Sequence, residues 1–140
     1  MSATWSPNNL FFRQVHPNNL DAKTHSPNSV AFMPTPKDEN QLSVDDSSLT
    51  TAEKAWAHFT KTRGYKSAGT WAVTTGEIQT AGDLDVRAAP VIDPENPILG
   101  NAAHCVIDFS RLSSKGQRRK CAQYLALMAS SRGCVFQPAS

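Results

Sequence analysis

Ala103-His104-Cys105-Val106-Ile107-Asp108-Phe109 is the most apolar short run in the chain, and a helical pattern follows it from Ser114 to Gly133. The run is too short for a helix and carries the Val, Ile and Phe content of a strand covered on both sides, so it predicts a central strand. In the following segment Cys121, Ala122, Leu125, Met128 and Ala129 recur at helical spacing as one buried stripe. Ser114 and Gln117 have the spacing of a capping box, and Gly133 is the stop. A helix over about 114–132 follows. Whether the fold alternates strands with helices or clusters them is decided by what comes before.

Thr50-Thr51-Ala52-Glu53 reads as a second capping box, and Ala52, Ala55, Trp56 and Phe59 follow at i, i+3, i+4 and i+7. Lys61 and Arg63 suit the negative end of the helix dipole and Gly64 the residue after it, which predicts a helix over 51–63. Thr70 to Thr75 reads as a strand. The first 50 residues are broken by Pro7, Pro17, Pro27, Pro34 and Pro36, which forbid a long helix and leave short extended pieces at Leu10–Val15, Val30–Met33 and Leu42–Val44. Gly76 to Ala81 reads as a single helical turn, Leu84 to Val86 as a short strand, and Cys134 to Phe136 as a last one. Pro90, Pro94 and Pro97 make Ala88 to Gly100 a loop. Strands cluster instead of alternating with helices, so the class is α+β: an antiparallel or mixed sheet with two main helices. Residues 10–140 are expected to form the single domain, after a flexible segment over 1–9.

Composition sets the outer bounds. The 140 residues are 39% hydrophobic and 19% charged, which supplies a core for about one domain and excludes a disordered charged tail. No apolar run approaches the roughly 18 residues of a membrane span, and Met1-Ser2-Ala3-Thr4-Trp5 lacks the basic start and apolar core of a signal peptide. A small intracellular, cytoplasmic protein is expected. Cys105, Cys121 and Cys134 are odd in number and match no zinc spacing, so they read as buried or half-buried free thiols. His16, His25, His58 and His104 show no metal-ligand spacing, and His58 reads as the exposed side of the first helix. No phosphate-binding glycine loop or other cofactor motif is present, so neither metal nor cofactor is expected.

The net charge of +2 conceals a division: residues 1–110 sum to -4, whereas residues 111–140 contain six Lys and Arg and no acid. Arg111, Lys115, Arg118, Arg119 and Lys120 gather where the last helix begins. Cations there oppose the helix dipole, which makes little sense for stability and good sense for an anion. Arg111, Lys115, Arg118 and Arg119 are therefore the candidates for contact with phosphate, nucleic acid or an acidic protein partner. The aromatic interleaving that stacks single-stranded bases is missing from this segment.

Three further places hold chemistry-bearing side chains. Arg13-Gln14-Val15-His16-Pro17 puts an imidazole at a strand end, where His16 suits a general base. In Pro34-Thr35-Pro36-Lys37-Asp38-Glu39 two prolines stiffen a charged loop and fix where Lys37 and Asp38 point. In the apolar strand His104, Val106 and Asp108 share one face, but His104 and Asp108 lie about 13–14 Å apart in an extended chain and do not pair. His16, Lys37 and His104 are the catalytic candidates. With Arg13 and Ser43 they supply the side-chain types of nucleotide or phosphodiester chemistry.

The runs Phe12-Arg13-Gln14-Val15-His16-Pro17, Ala31-Phe32-Met33-Pro34-Thr35-Pro36-Lys37-Asp38, Leu42-Ser43-Val44, Ser67-Ala68-Gly69, Trp71 to Thr75 and Ala103 to Phe109 resemble a group of small uncharacterised bacterial proteins. The resemblance spans the chain from about residue 10. It implies a bacterial or phage-type cytoplasmic origin and one intact domain, and it carries no activity and no site residues. The residues themselves favour a binding or accessory protein that uses the basic last helix. The competing reading is a small enzyme on nucleotide or nucleic-acid substrates, with Arg13, His16, Lys37 and His104 in a cleft.

Overall fold

Alternation in five short runs builds one antiparallel sheet in the computed structural model, which describes residues 5–139. The strands are β1 (Leu10–Val15), β2 (Gln41–Asp46), β3 (Gly69–Thr74), β4 (Asp85–Ala88) and β5 (His104–Asp108), in the order β3-β1-β2-β5-β4. This is an α+β fold, with β2 at the centre of the sheet and β5 beside it. Side chains at every second position face the same way. Leu42 and Val44 of β2, Trp71 and Val73 of β3, and Cys105 and Ile107 of β5 therefore join one core. Helices α2 (Thr75–Ala81) and α3 (Lys115–Arg132) close that face, and Cys121, Ala122, Leu125, Ala126 and Ala129 are buried in it.

The opposite face is covered more thinly. Helix α1 (Ala52–Ala57) packs on β1 and β3 through a small cluster of Phe12, Ala55 and Ala72. It runs on as a π-helical turn, His58–Thr62, before Gly64 takes a positive φ of 78°. The helix over 51–63 is thus present, with its last turn widened. Thr51, not Thr50, caps it, accepting from the Lys54 N–H, and the Thr50–Glu53 box does not form. The Ser114–Gln117 box does form, with both reciprocal bonds. A further box that composition alone did not flag joins Thr74 to Glu77 at the start of α2, so Gly76 to Ala81 belongs to a two-turn helix.

Other expectations are corrected. Val30–Met33 is not a strand: Ser29–Phe32 forms a 3-10 turn capped by Asn28, which drops Ala31 and Phe32 into the core. A polar cap with a free N–H to serve outweighs a short apolar triplet. Cys134–Phe136 makes only an isolated bridge, Phe136 to Thr70. Cys134 is exposed, whereas Cys105 and Cys121 are buried. Of the segment expected to be flexible, 1–4 lies outside the described residues. Residues 5–9 are anchored, because the Trp5 indole meets Phe11 edge-on and donates to Asp46, and the Asn9 amide donates to Asp46 as well. No helix among the described residues is long and apolar enough to cross a membrane.

One irregularity in the sheet positions the site. Strand β1 pairs with β3 along its whole length but with β2 only through Phe11–Asp46 and Phe12–Asp45. Beyond Phe12 the two strands diverge. The Arg13 guanidinium fills the opening, donating from Nη1 to the Ser43 carbonyl (2.9 Å) and from Nε to the Ala31 carbonyl (2.8 Å). A side chain thus satisfies the carbonyl that the missing rung leaves free.

Candidate functional site

Where β1 and β2 part, the thinly covered face opens into a cleft of about 350 Å3. That is the size of a small-molecule site. Strand β1 contributes Arg13, β2 Ser43 and Asp45, and β5 His104, while His58 and Phe59 come from the π-helical turn. Arg63 and Tyr65, which follow that turn, and Val91 and Asn101 on the loop between β4 and β5 complete the lining.

His104 and Asp45 are direct cross-strand neighbours, and the diagonal reach from His104 is to Ser43. Its Nδ1 lies 2.7 Å from the Ala89 carbonyl and its Nε2 3.1 Å from Ser43 Oγ. A carbonyl oxygen only accepts, so Nδ1 carries the ring proton. In the neutral ring Nε2 is then the acceptor, and the Ser43 hydroxyl donates to it. The Ala89 N–H also donates to the His104 carbonyl, so the start of the β4–β5 connection fixes both backbone and ring. Ser43 is exposed to the cleft. An exposed hydroxyl on an oriented imidazole is the arrangement of an activated nucleophile and its base.

The charges around this pair are unequal in their partners. Burial pushes Arg13 down to about 10, against the pull of Asp38, and leaves it a cation near neutrality. Arg63 donates to the Leu99 carbonyl at 2.9 Å and lies over the Tyr65 ring, whose other neighbour is Phe59 at 5.1 Å. The ion pairs among the described residues join Arg87 to Asp108, Arg111 to Asp83 and Asp85, and Arg132 to Glu77, and include neither cleft arginine. Asp45 accepts from the Asn101 amide at 2.7 Å. Burial raises its pKa, opposed by that hydrogen bond and by the nearby imidazoles of His104 and His58. His58 Nε2 is buried and has no hydrogen-bond partner.

Of the residues singled out from sequence, Arg13, Ser43 and His104 converge here. His16 and Lys37 do not line the cleft. His16 is exposed and accepts from the Asn18 N–H as the cap of a 3-10 turn, and Lys37 is exposed on another, Pro36–Asp38. His58 is not the exposed side of its helix: it is half-buried and lines the cleft. The basic start of α3 is broken up. Arg111 is bound by Asp83 and Asp85, and Arg118 donates to the Leu112 carbonyl. Lys115, Arg119 and Lys120 remain exposed.

Asp45, Asn101, Arg63 and Tyr65 carry no motif and were not singled out. For Asp45 the signal is the alternation Gln41-Leu42-Ser43-Val44-Asp45, which puts Ser43 and Asp45 on the face opposite Leu42 and Val44. Among the described residues no group of three or more His, Cys, Asp or Glu is placed to hold a metal ion. No protein-family model, no curated protein and no solved structure matches the chain, so this geometry alone bears on its chemistry.

Proposed function

We propose that the cleft is the active site of a small phosphodiesterase-type enzyme acting on nucleotide substrates, with Ser43 as nucleophile and His104 as its base. The observation that supports it is the His104 ring, fixed through Nδ1 on the Ala89 carbonyl so that Nε2 receives the hydroxyl of an exposed serine. The surroundings fit the substrate class. Arg13 and Arg63 supply positive charge for a phosphate, and Phe59 and Tyr65 supply flat surface for a base. Ser43 Oγ attacks phosphorus while its proton passes to His104 Nε2, and the P–O bond to the alcohol breaks, the departing oxygen taking a proton from solvent. Water then attacks the phosphoserine and gives its proton to solvent, the Oγ–P bond breaks, and His104 returns its proton to Ser43 Oγ. The Arg13 guanidinium stands beside the Ser43 backbone, where negative charge grows on the phosphoryl oxygens.

The test is hydrolysis of bis(p-nitrophenyl) phosphate by the purified protein. The Ser43→Ala and His104→Gln variants are expected to lose at least about a thousandfold in kcat/KM with the fold intact by circular dichroism. Wild-type activity at the level of buffer, or full activity in Ser43→Ala, overturns the reading.

A second reading, contact with nucleic acid or an acidic protein surface through α3, is supported by the exposed cations Lys115, Arg119 and Lys120. No carboxylate among the described residues neutralises them. Its test is retention on heparin that weakens with salt and is lost in the Lys115→Glu, Arg119→Glu double variant. Retention unchanged by that variant removes it.

A further inference from the structure

Asp45 is the one carboxylate lining the cleft among the described residues, and the chemistry at Ser43 does not use it. It stands at the last rung between β1 and β2, opposite Phe12 on one side and His104 on the other, where those strands begin to part. Ser43 lies two residues away on the same face of β2, in the opened stretch. Along an extended strand that spacing is about 7 Å. The carboxylate is held in a fixed pose. The Asn101 amide donates to its Oδ1 at 2.7 Å. That amide cannot turn over, because its own oxygen accepts from the Ala103 N–H at 3.1 Å. The Asn101 backbone is tied to Val91 through both its N–H and its C=O, each at 2.9 Å. The second carboxylate oxygen, Oδ2, accepts from no described residue, and no described cation pairs with it. Unlike His58 Nε2, it is not sealed from solvent. Burial works against the charge of Asp45 all the same. A half-buried carboxylate oxygen, fixed and open beside a nucleophile, is an acceptor placed for a ligand.

We propose that Asp45 sets the sugar specificity of the cleft: its Oδ2 accepts a hydrogen bond from the 2′-hydroxyl of a ribose, so the substrates are esters of ribonucleotides. The proposal rests on the active-site reading above and names the substrate class of that site. An ionised carboxylate only accepts, so the group it meets must carry a proton, and it repels the phosphate itself. With the phosphate at Ser43 and the base on Phe59 and Tyr65, the sugar is the part of the nucleotide left to meet Asp45. The spacing between residues 43 and 45 matches the reach of a pentose and its ester linkage. Within a nucleic-acid chain the 3′ and 5′ oxygens are both esterified, which leaves the 2′-hydroxyl as the one donor of the sugar. A fixed acceptor discriminates well, because an analogue lacking the hydroxyl leaves a desolvated oxygen unpaired. The contact makes and breaks no covalent bond, so the steps at Ser43 are the same for either sugar.

The experiment gives the purified protein three 5′-(p-nitrophenyl phosphate) esters, those of uridine, 2′-deoxyuridine and 2′-fluoro-2′-deoxyuridine. Fluorine fills the 2′ position but donates no proton. In a 5′-ester the 2′-hydroxyl is too far from phosphorus to attack it, so its effect is read as recognition. Wild type is expected to favour the uridine ester over both analogues by about tenfold to a hundredfold in kcat/KM, the worth of one charge-assisted hydrogen bond. In Asp45→Ala the preference is expected to fall to within about threefold of none. The preference is a ratio within one protein, so general damage to the cleft cancels. Asp45→Asn serves as a second variant should alanine unsettle the sheet. There the Asn101 amide holds the carbonyl oxygen and turns the new N–H2 towards the ligand, and the preference is expected to fall at least about fivefold. Equal rates of wild type on the three esters, a fluoro ester hydrolysed as fast as the uridine ester, or a preference that survives in the variants overturns the role of Asp45. In those cases the active-site reading stands if Ser43→Ala still abolishes hydrolysis. Wild-type protein inert towards all three esters overturns the active site and its sugar specificity together.

Discussion

At the scale of single residues, the same side-chain type takes opposite roles according to what its neighbours can donate or accept. His16 and His104 were both plausible bases in the sequence, yet one caps a turn and the other is oriented towards a hydroxyl. Asp46 shows a purely structural carboxylate. Burial pushes its pKa up, but hydrogen bonds from the Ser48 N–H and hydroxyl, the Trp5 indole and the Asn9 amide outweigh that and hold it below its ordinary value. A depressed carboxyl binds fewer protons folded than unfolded, so it stabilises the fold above its ordinary pKa. That contribution fades as pH falls through the ordinary value towards the folded one. Asp46→Asn is expected to cost about 1–3 kcal/mol near neutrality, with the gap to wild type closing below pH about 4, measured by urea denaturation across pH. The thiols make a second prediction. Cys105 and Cys121 are buried and Cys134 is exposed, and burial raises all three, Cys105 to about 12. Ellman's reagent is expected to titrate one thiol in the native protein, slowly, and all three in denaturant.

At the scale of elements, the sequence was informative wherever one local rule acted alone. The stripe of Cys121, Ala122, Leu125 and Ala129 and the Ser114 cap placed α3 to within a residue or so. The alternation of Leu42 and Val44 placed β2. Where two rules competed, the wrong one was easy to choose: Asn28 as a cap turned Val30–Met33 from a strand into a 3-10 turn. The cleft was less legible because it depends on a failure of pairing. Nothing in Phe12-Arg13-Gln14 announces that β1 and β2 part after two rungs and that Arg13 bonds to the Ser43 carbonyl instead. His58 escaped because it borders the stripe of Ala52, Ala55, Trp56 and Phe59, and what covers that border is set by other elements. A close approach between elements offers a direct check. A Cβ at Gly82 would lie 2.6 Å from Cys121 Sγ, which itself reaches the Ala81 carbonyl at 3.1 Å. Gly82→Ala is expected to destabilise by about 1–3 kcal/mol, the cost of overpacking, and Cys121→Ala is expected to recover part of that loss in the double variant. Strict additivity of the two would show that the contact does not form.

At the scale of the whole molecule, the sheet divides its labour between faces. One carries the core under α2 and α3, and the other is covered by α1 over β1 and β3, with the cleft opening beside that cover. Charge follows a related division. The excess of cations after residue 110 is partly absorbed within the fold, by Asp83 and Asp85 on Arg111 and by Glu77 on Arg132, so the count from sequence overstated the free charge. What the fold leaves without an ion-pair partner in the cleft is Arg13 and Arg63, beside a serine and an oriented histidine. The most direct measurement of that account is mass spectrometry after exposure to a fluorophosphonate probe, which phosphonylates activated serines. A single adduct mapped to Ser43, absent in His104→Gln, is the result this geometry requires. No adduct on the wild-type protein, or one on another serine, would contradict it.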